Sequence, residues 1–404
     1  MASEQTEARP ATAERRPELD AIRALVVVGL VFFHSALVFD AEDDFYVKNP
    51  ETTGAIMIMA GFAVVWAMPI LFLIAGLGSW HSMRKRGPGG FTVERLLRLG
   101  VPLVFATLTM IPIPQWLRLR AADPAYDESY PRFLLRFLDV HLDLADFPFI
   151  LDGEHFETGH LWFVVLLLAF SLMLAAVVRL LAGRAAPTGD RIAAAVTRHR
   201  GLVLLPALPI AVVCALVGLE EAFAGWSRWA YLLFFLFGFL LAADGRHREV
   251  MRRDAVIAAV VGVAVFAAGM PLFLAVDEPF TEMTPLAMVA RAFFGVAGWC
   301  WVTGILGLLD RRRRQRPSPD PAQPAQPPSR KARAYAYLGA AVLPLYILHQ
   351  PIVVAVAYQV VRWDASIPVK YLAIVAASLA LTVAAYDLLV RRTAVTRFLF
   401  GMRP

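Results

Sequence analysis

Charged residues, cysteine and lysine are all scarce in this chain. Asp, Glu, Lys and Arg supply 18% of its 404 residues, against 58% hydrophobic. That is too apolar for a soluble domain of this length and predicts a polytopic membrane protein. Lysine numbers 4 against 35 arginines, so lysine-rich tails of the DNA-binding kind are absent. The net charge of +6 is carried mostly in alternate loops between apolar runs, which fits a sided membrane protein and argues against a nucleic-acid partner. Cys214 and Cys300 both lie inside apolar segments without motif spacing and read as packing residues, with no disulfide framework and no zinc site. No ten-residue alternating pattern suggests a barrel, which leaves helices as the spanning element. No apolar stretch precedes residue 21, so residues 1–16 read as a disordered cytoplasmic tail and the first apolar run as a retained signal-anchor helix. Neither an internal repeat nor a matched pair of interrupted helices of the transporter kind is visible.

What the chain does have is about ten apolar runs, near 21–40, 55–80, 96–118, 160–182, 201–219, 229–243, 255–276, 286–309, 335–361 and 370–390. The sixth is short, and 219–243 reads alternatively as an interfacial stretch followed by a span. Prolines at 102, 112 and 114 predict a kinked or broken third helix. With both termini inside, 30 of the 39 Lys and Arg fall on the cytoplasmic side and 20 of the 33 Asp and Glu outside. The positive-inside rule therefore predicts an all-α protein of the cell membrane with cytoplasmic N- and C-termini and an even number of spans. Residues 17–309 would carry spans one to eight, including a long outer loop at 119–159 with nine acidic residues. Residues 310–334, rich in arginine and proline, read as a disordered cytoplasmic linker. Residues 335–391 hold the last two spans and 392–404 a cytoplasmic tail.

Arg23 and His34 stand out within the first run, AIRALVVVGLVFFHSALVF. Eleven helical steps are about three turns, so the two side chains share a face roughly 16 Å apart along the axis. Ionisable groups inside a span are costly and mark candidate functional sites. Taken alone, Arg23 is equally a positive-inside anchor and His34 an interhelical hydrogen-bonding residue. Asp20 lies one turn before Arg23 and suits either a helix cap or an ion-pair partner.

Four segments in order resemble the membrane-bound acyltransferase 3 family. The first is Leu19-Asp20, Arg23 and His34, with Ala24 where the family usually has glycine. The second is PILFLIAGLGSW, a basic loop, and the pair Arg95 and Arg98, with Ala75 in place of the usual serine. The third is His160-Leu161-Trp162-Phe163 at the start of the fourth span, and the fourth is Tyr346, His349, Gln350 and Pro351 in the ninth. The resemblance runs from about residue 16 to 355. It implies an O-acyltransferase that moves an acetyl or other short acyl group from cytoplasmic acyl-coenzyme A to a hydroxyl of a glycan or glycolipid at the outer face. The donor would be a co-substrate, with no tightly bound cofactor.

The residue chemistry fits that expectation. Neutral imidazole near pH 7 suits removal of a hydroxyl proton, which makes His34 the candidate general base, with Arg23 linking it to the donor. Guanidinium forks match phosphate, so Arg95 and Arg98, with Arg84 and Arg86, are the candidate donor-binding residues; for Arg84 and Arg86 topology determination is an equal reading. Tyr346 and His349 would orient His34 or contact a substrate, or belong to a polar packing network. His160 and Trp162 sit at the outer edge, where Trp162 would stack on a sugar or join the aromatic belt. No placed serine or cysteine nucleophile is evident, which favours direct transfer. The acidic loop, with His141 and His155, lacks metal-ligand spacing and reads as solvated; His81, His199 and His247 read as ordinary loop residues. Two rival readings are a lipid-linked glycosyltransferase, motivated by Asp40, Asp43 and Asp44, and a secondary transporter or flippase, motivated by the mid-membrane histidines.

Overall fold

The computed structural model describes residues 17–181, 194, 196–314 and 329–402. Helix α1 (Pro17–Leu37) begins with a proline whose missing N–H is harmless there, and with Glu18 and Asp20 on the positive end of the helix dipole. Its carboxyl end is capped by Lys48, whose Nζ donates to the carbonyls of Leu37 at 3.0 Å and Asp43 at 2.7 Å. The loop that carries this cap is itself packed inward, with Val38, Phe39, Phe45, Tyr46 and Val47 buried.

Helix α2 (Ala55–Arg95) is interrupted at Gly87, where φ is 68°, a conformation that a side chain would strain. The chain folds back there. Arg95 Nη2 reaches Ser79 Oγ at 3.2 Å, although sixteen residues of straight helix would separate them by about 24 Å. A π-turn (Leu96–Gly100) leads into α3 (Val101–Thr109), and the next helix, α4 (Pro112–Ala122), starts afresh at Pro112. The prolines thus break the third apolar run in two.

Between α4 and α6 (Trp162–Leu180) lie α5 (Tyr130–Phe137) and a two-stranded hairpin, β1 (His141–Leu142) against β2 (Leu151–Asp152), with His141 opposite Asp152. This hairpin lies between the apolar runs, and the spanning elements among the described residues are all helices. Most acidic side chains of 119–159 are exposed, while Phe133 and Phe137 of the same segment are fully buried. Then follow α7 (Ala207–Val217), α8 (Arg228–Ala243), α9 (Gly245–Leu274), α10 (Pro285–Arg314), α11 (Arg330–Val360), α12 (Ile367–Ala385) and α13 (Ala394–Leu399). A short 3-10 turn at Glu221–Phe223 precedes α8, and Glu221–Ala243 together is long and apolar enough for one span. Helix α10 runs to Arg314 and α11 begins at Arg330, so both ends of the expected 310–334 linker are helical. Its middle, like the tail at 1–16, lies outside the described residues.

Among the described residues eight helices are long and apolar enough to cross a membrane, one of them the composite Gly61–Ala122, with Leu202–Val217 as a shorter apolar helix. Many large apolar side chains face outward, Leu180 and Leu274 at 78% exposure among them. Such a surface needs lipid around it. Inside, α1 packs chiefly on α11, α2 on α8 and α9 on α10. These pairings bring His34 beside the late helix that carries Tyr346 and His349, and Arg23 beside Ile74 of α2.

Candidate active site

Three imidazoles meet where α1, α11 and the entry to α6 converge. The His34 ring lies 5.2 Å from that of His349, and His349 lies 4.9 Å from that of His160. His349 is completely buried and His160 nearly so. Helix α11 holds the other two elements of this cluster in place. Tyr346 donates its hydroxyl hydrogen bond to the His160 carbonyl, and the His160 N–H donates to Gln350 Oε1 at 3.1 Å. His160 Nε2 lies 3.1 Å from the Ile347 carbonyl, and His349 Nδ1 lies 2.5 Å from the Tyr346 carbonyl. A carbonyl only accepts, so those two nitrogens carry the protons and the opposite nitrogens are lone pairs. His34 Nδ1, His160 Nδ1 and His349 Nε2 are all buried without a hydrogen-bond partner. Unsatisfied buried nitrogens are costly and seldom left so without a use. Among the described residues no three His, Cys, Asp or Glu converge so as to hold a metal ion.

Phe45 stacks on the face of His34, with centroids 5.9 Å apart and planes 18° apart. Its neighbour Tyr46 donates a hydrogen bond to Glu157 Oε1, tying the loop after α1 to the turn that delivers His160. Gly159, at φ 48°, makes that turn, and a Cβ there would lie 3.2 Å from the Tyr46 hydroxyl oxygen. Burial raises the Glu157 carboxyl above its ordinary range, while hydrogen bonds from Tyr46 and Gln115 and the charge of Arg118 oppose this.

At the other end of α1, Arg23 pairs with Asp20 at 3.6 Å and donates from Nη2 to the Ile74 carbonyl at 3.4 Å. Arg23, Arg95 and Arg98 lie within electrostatic reach of one another. The Arg95 guanidinium sits over the Phe91 ring, its Nε buried without a partner. Glu94 organises the rest of this group. It accepts from Ser82 at 2.5 Å and pairs with Arg86 at 3.7 Å and Arg98 at 3.6 Å. Arg23 and Asp20 also edge a cavity of about 460 Å³ between α1, α2, α8, α9 and α10. Leucines, Ile74 and Met251 form much of its wall, and His81, Asp244, Arg248 and Asp310 add polar groups.

The sequence matches the acyltransferase 3 family, described as an acyltransferase domain, over residues 16–387. The chain belongs to the acyltransferase 3 family. No curated protein and no solved structure matched it. The family match and the apolar helices together make it a multi-pass membrane acyltransferase.

Within this acyltransferase, the four motif segments do not all end in one place. Arg23, Arg95 and Arg98 gather at one end of α1, while His34, His160, Tyr346 and His349 gather toward the other. Arg84 is exposed and lies over Trp80 instead of beside Arg23. The Trp162 ring is half-buried, packed among Phe72, Phe163, Phe223 and Tyr231. His81, read from the sequence as an ordinary loop residue, lines the cavity instead. Gln350, Ser79, Arg248 and Asp310 were not singled out by sequence reasoning. For Gln350 a signal existed in its place within the late motif, but Arg248 and Asp310 become partners only when α9 lies along α10.

Proposed function

We propose that this acyltransferase moves an acetyl or other short acyl group from cytoplasmic acyl-coenzyme A to a hydroxyl of a glycan or glycolipid on the far side of the cell membrane. In this reading the composite Gly61–Ala122 helix counts as two passes and Leu202–Val217 as one. That gives ten spans with both termini in the cytoplasm. The donor's phosphates meet Arg23, Arg95 and Arg98, and the acyl-bearing arm extends along α1 toward the imidazoles. His34 removes the acceptor's hydroxyl proton as the oxygen bonds to the acyl carbon and the carbon–sulfur bond breaks. The proton then passes to the departing thiolate, which leaves the free thiol, the new ester and neutral His34. Polar residues near the cavity and the Tyr46–Glu157 bridge would border the donor and acceptor sides respectively.

The observation that carries this reading is the shared face of α1. A guanidinium cluster stands at one end and a buried imidazole cluster about three turns away. Two of the three acidic residues behind the glycosyltransferase alternative are occupied otherwise. Asp40 is buried and caps the N–H of Glu42 at 2.9 Å, and Asp44 is paired with Arg118. The test is His34→Ala, expressed at wild-type membrane level, with mass spectrometry of surface glycans and lipids. Loss of one acyl unit, matching that of a deletion strain, is expected. A full complement of acylated product in the variant would refute the role of His34.

A further inference from the structure

In the reaction proposed above His34 needs a lone pair toward the acceptor, and a neutral imidazole carries its proton on either nitrogen. Serine hydrolases fix this choice with a carboxylate behind the histidine. Among the described residues the one titratable group acting electrostatically on His34 is His160, and no carboxylate does so. The titratable groups acting electrostatically on His349 are His34 and His160, and Tyr346 lies beside it on its own helix at 5.6 Å between rings.

We infer that His349 sets the tautomer of His34: its bare Nε2 accepts the Nδ1 proton of His34 and leaves the His34 Nε2 lone pair for the acceptor hydroxyl. Three observations carry this. First, the His349 Nδ1 proton is committed to the Tyr346 carbonyl at 2.5 Å, so His349 Nε2 has no proton of its own. Second, that Nε2 and His34 Nδ1 are both buried and partnerless, on rings 5.2 Å apart and tilted by 37°. Third, the His160 Nε2 proton faces the Ile347 carbonyl, so His160, whose Nδ1 is bare, has no proton to give to His349 Nε2. The two partnerless nitrogens do not bond in this resting structure. Rotation of the His34 ring closes the pair, as catalytic hydrogen bonds commonly tighten only with substrate bound. When His34 takes the hydroxyl proton, the imidazolium charge is then shared through the Nδ1–H to His349. His349 is thereby a positioning residue, and Tyr346 acts through its carbonyl.

This inference rests on His34 being the base, and the tests separate the two. Two conservative variants divide the His349 ring into its nitrogens. His349→Asn keeps a donor near Nδ1 for Tyr346 but removes the acceptor at Nε2, whereas His349→Gln keeps an acceptor near Nε2. With purified enzyme, kcat in His349→Asn is expected to fall at least about ten-fold, with donor KM within about three-fold, while His349→Gln keeps more of kcat. The kcat–pH profile should also shift in His349→Asn. Asn matching or exceeding Gln would overturn the inference. Nitrogen NMR of histidine-labelled wild-type enzyme needs no variant to fold. With acyl-coenzyme A bound it should show His34 as the Nδ1–H tautomer, and an Nε2–H tautomer in that complex would overturn the proposal. An active His34→Ala would instead refute the base itself, whatever the His349 variants do.

Discussion

Helices α2 and α8 touch backbone to backbone, and this contact can be tested with one methyl group. A Cβ on Gly238 would lie 2.1 Å from the Leu73 carbonyl oxygen, and one on Gly76 2.0 Å from that of Phe235. Real Cβ contacts do not fall below 3.0 Å, so either alanine must part the helices by about 1 Å, with no flexible side chain to yield. Overpacking of this kind costs about 1–3 kcal/mol, here toward the upper end because a rigid carbonyl must move. Gly238→Ala should therefore melt several degrees below wild type in detergent. The buried thiols of Cys214 and Cys300 give the signal through a thiol-reactive dye. One parting of the helices relieves both clashes, so the Gly76→Ala/Gly238→Ala double variant should lose less than the sum of the singles. Gly29→Ala is the control. Nothing lies within 4 Å of its Cβ position, and alanine should gain about 0.5–1 kcal/mol in a helix. Leu73, Ile74 and Leu77 of α2 and Leu241 and Ala242 of α8 line the cavity beside Arg23, so Gly238→Ala should raise donor KM as well. A variant that melts with wild type would show that the helices do not approach this closely.

Two other perturbations test the two ends of the site. Arg95→Ala should raise the donor KM about 10- to 100-fold with a smaller effect on kcat, the loss of a charge-assisted phosphate contact of about 1.5–3 kcal/mol. Arg95→Lys should recover part of it, and equal KM values for all three enzymes would remove Arg95 from the donor site. Burial raises the Glu157 carboxyl above its ordinary 4.5, so the folded state holds that proton more tightly than the unfolded chain does. Wild type then loses stability as pH rises through the unfolded value toward the raised folded one. Glu157→Gln, which keeps an acceptor for Tyr46, should escape that loss, melting above wild type at neutral pH and converging with it below about pH 4.5. A gap that widens at low pH would contradict this account.

The placement of Arg23 and His34 on one helix face was legible because helical periodicity is local, and the apolar runs around them fix the helix regardless of what packs beside it. The two broken regions were readable only in part. Proline at 112 announced the interruption in the third run, since it cannot continue a hydrogen-bonded turn. The reversal at Gly87 was visible as a basic loop, but not as the fold-back that carries Arg95 to Ser79. The packing of Trp162 was not legible, because an indole at a span boundary looks the same in sequence whether or not four other rings surround it.

Sequence by itself determined the chemistry: an apolar helical chain, the acyltransferase motifs, and the spacing of Arg23 from His34. All of these depend on residue type and on neighbours within a few turns. The tertiary structure alone decided that His34, His160 and His349 form one cluster, that Tyr346 and Gln350 clamp the His160 backbone, and that His349 turns a bare Nε2 into that cluster. Those contacts join residues more than a hundred positions apart. They exist only because α1 packs on α11 and a glycine turn delivers His160 between them, an arrangement set by side-chain packing that no local pattern encodes.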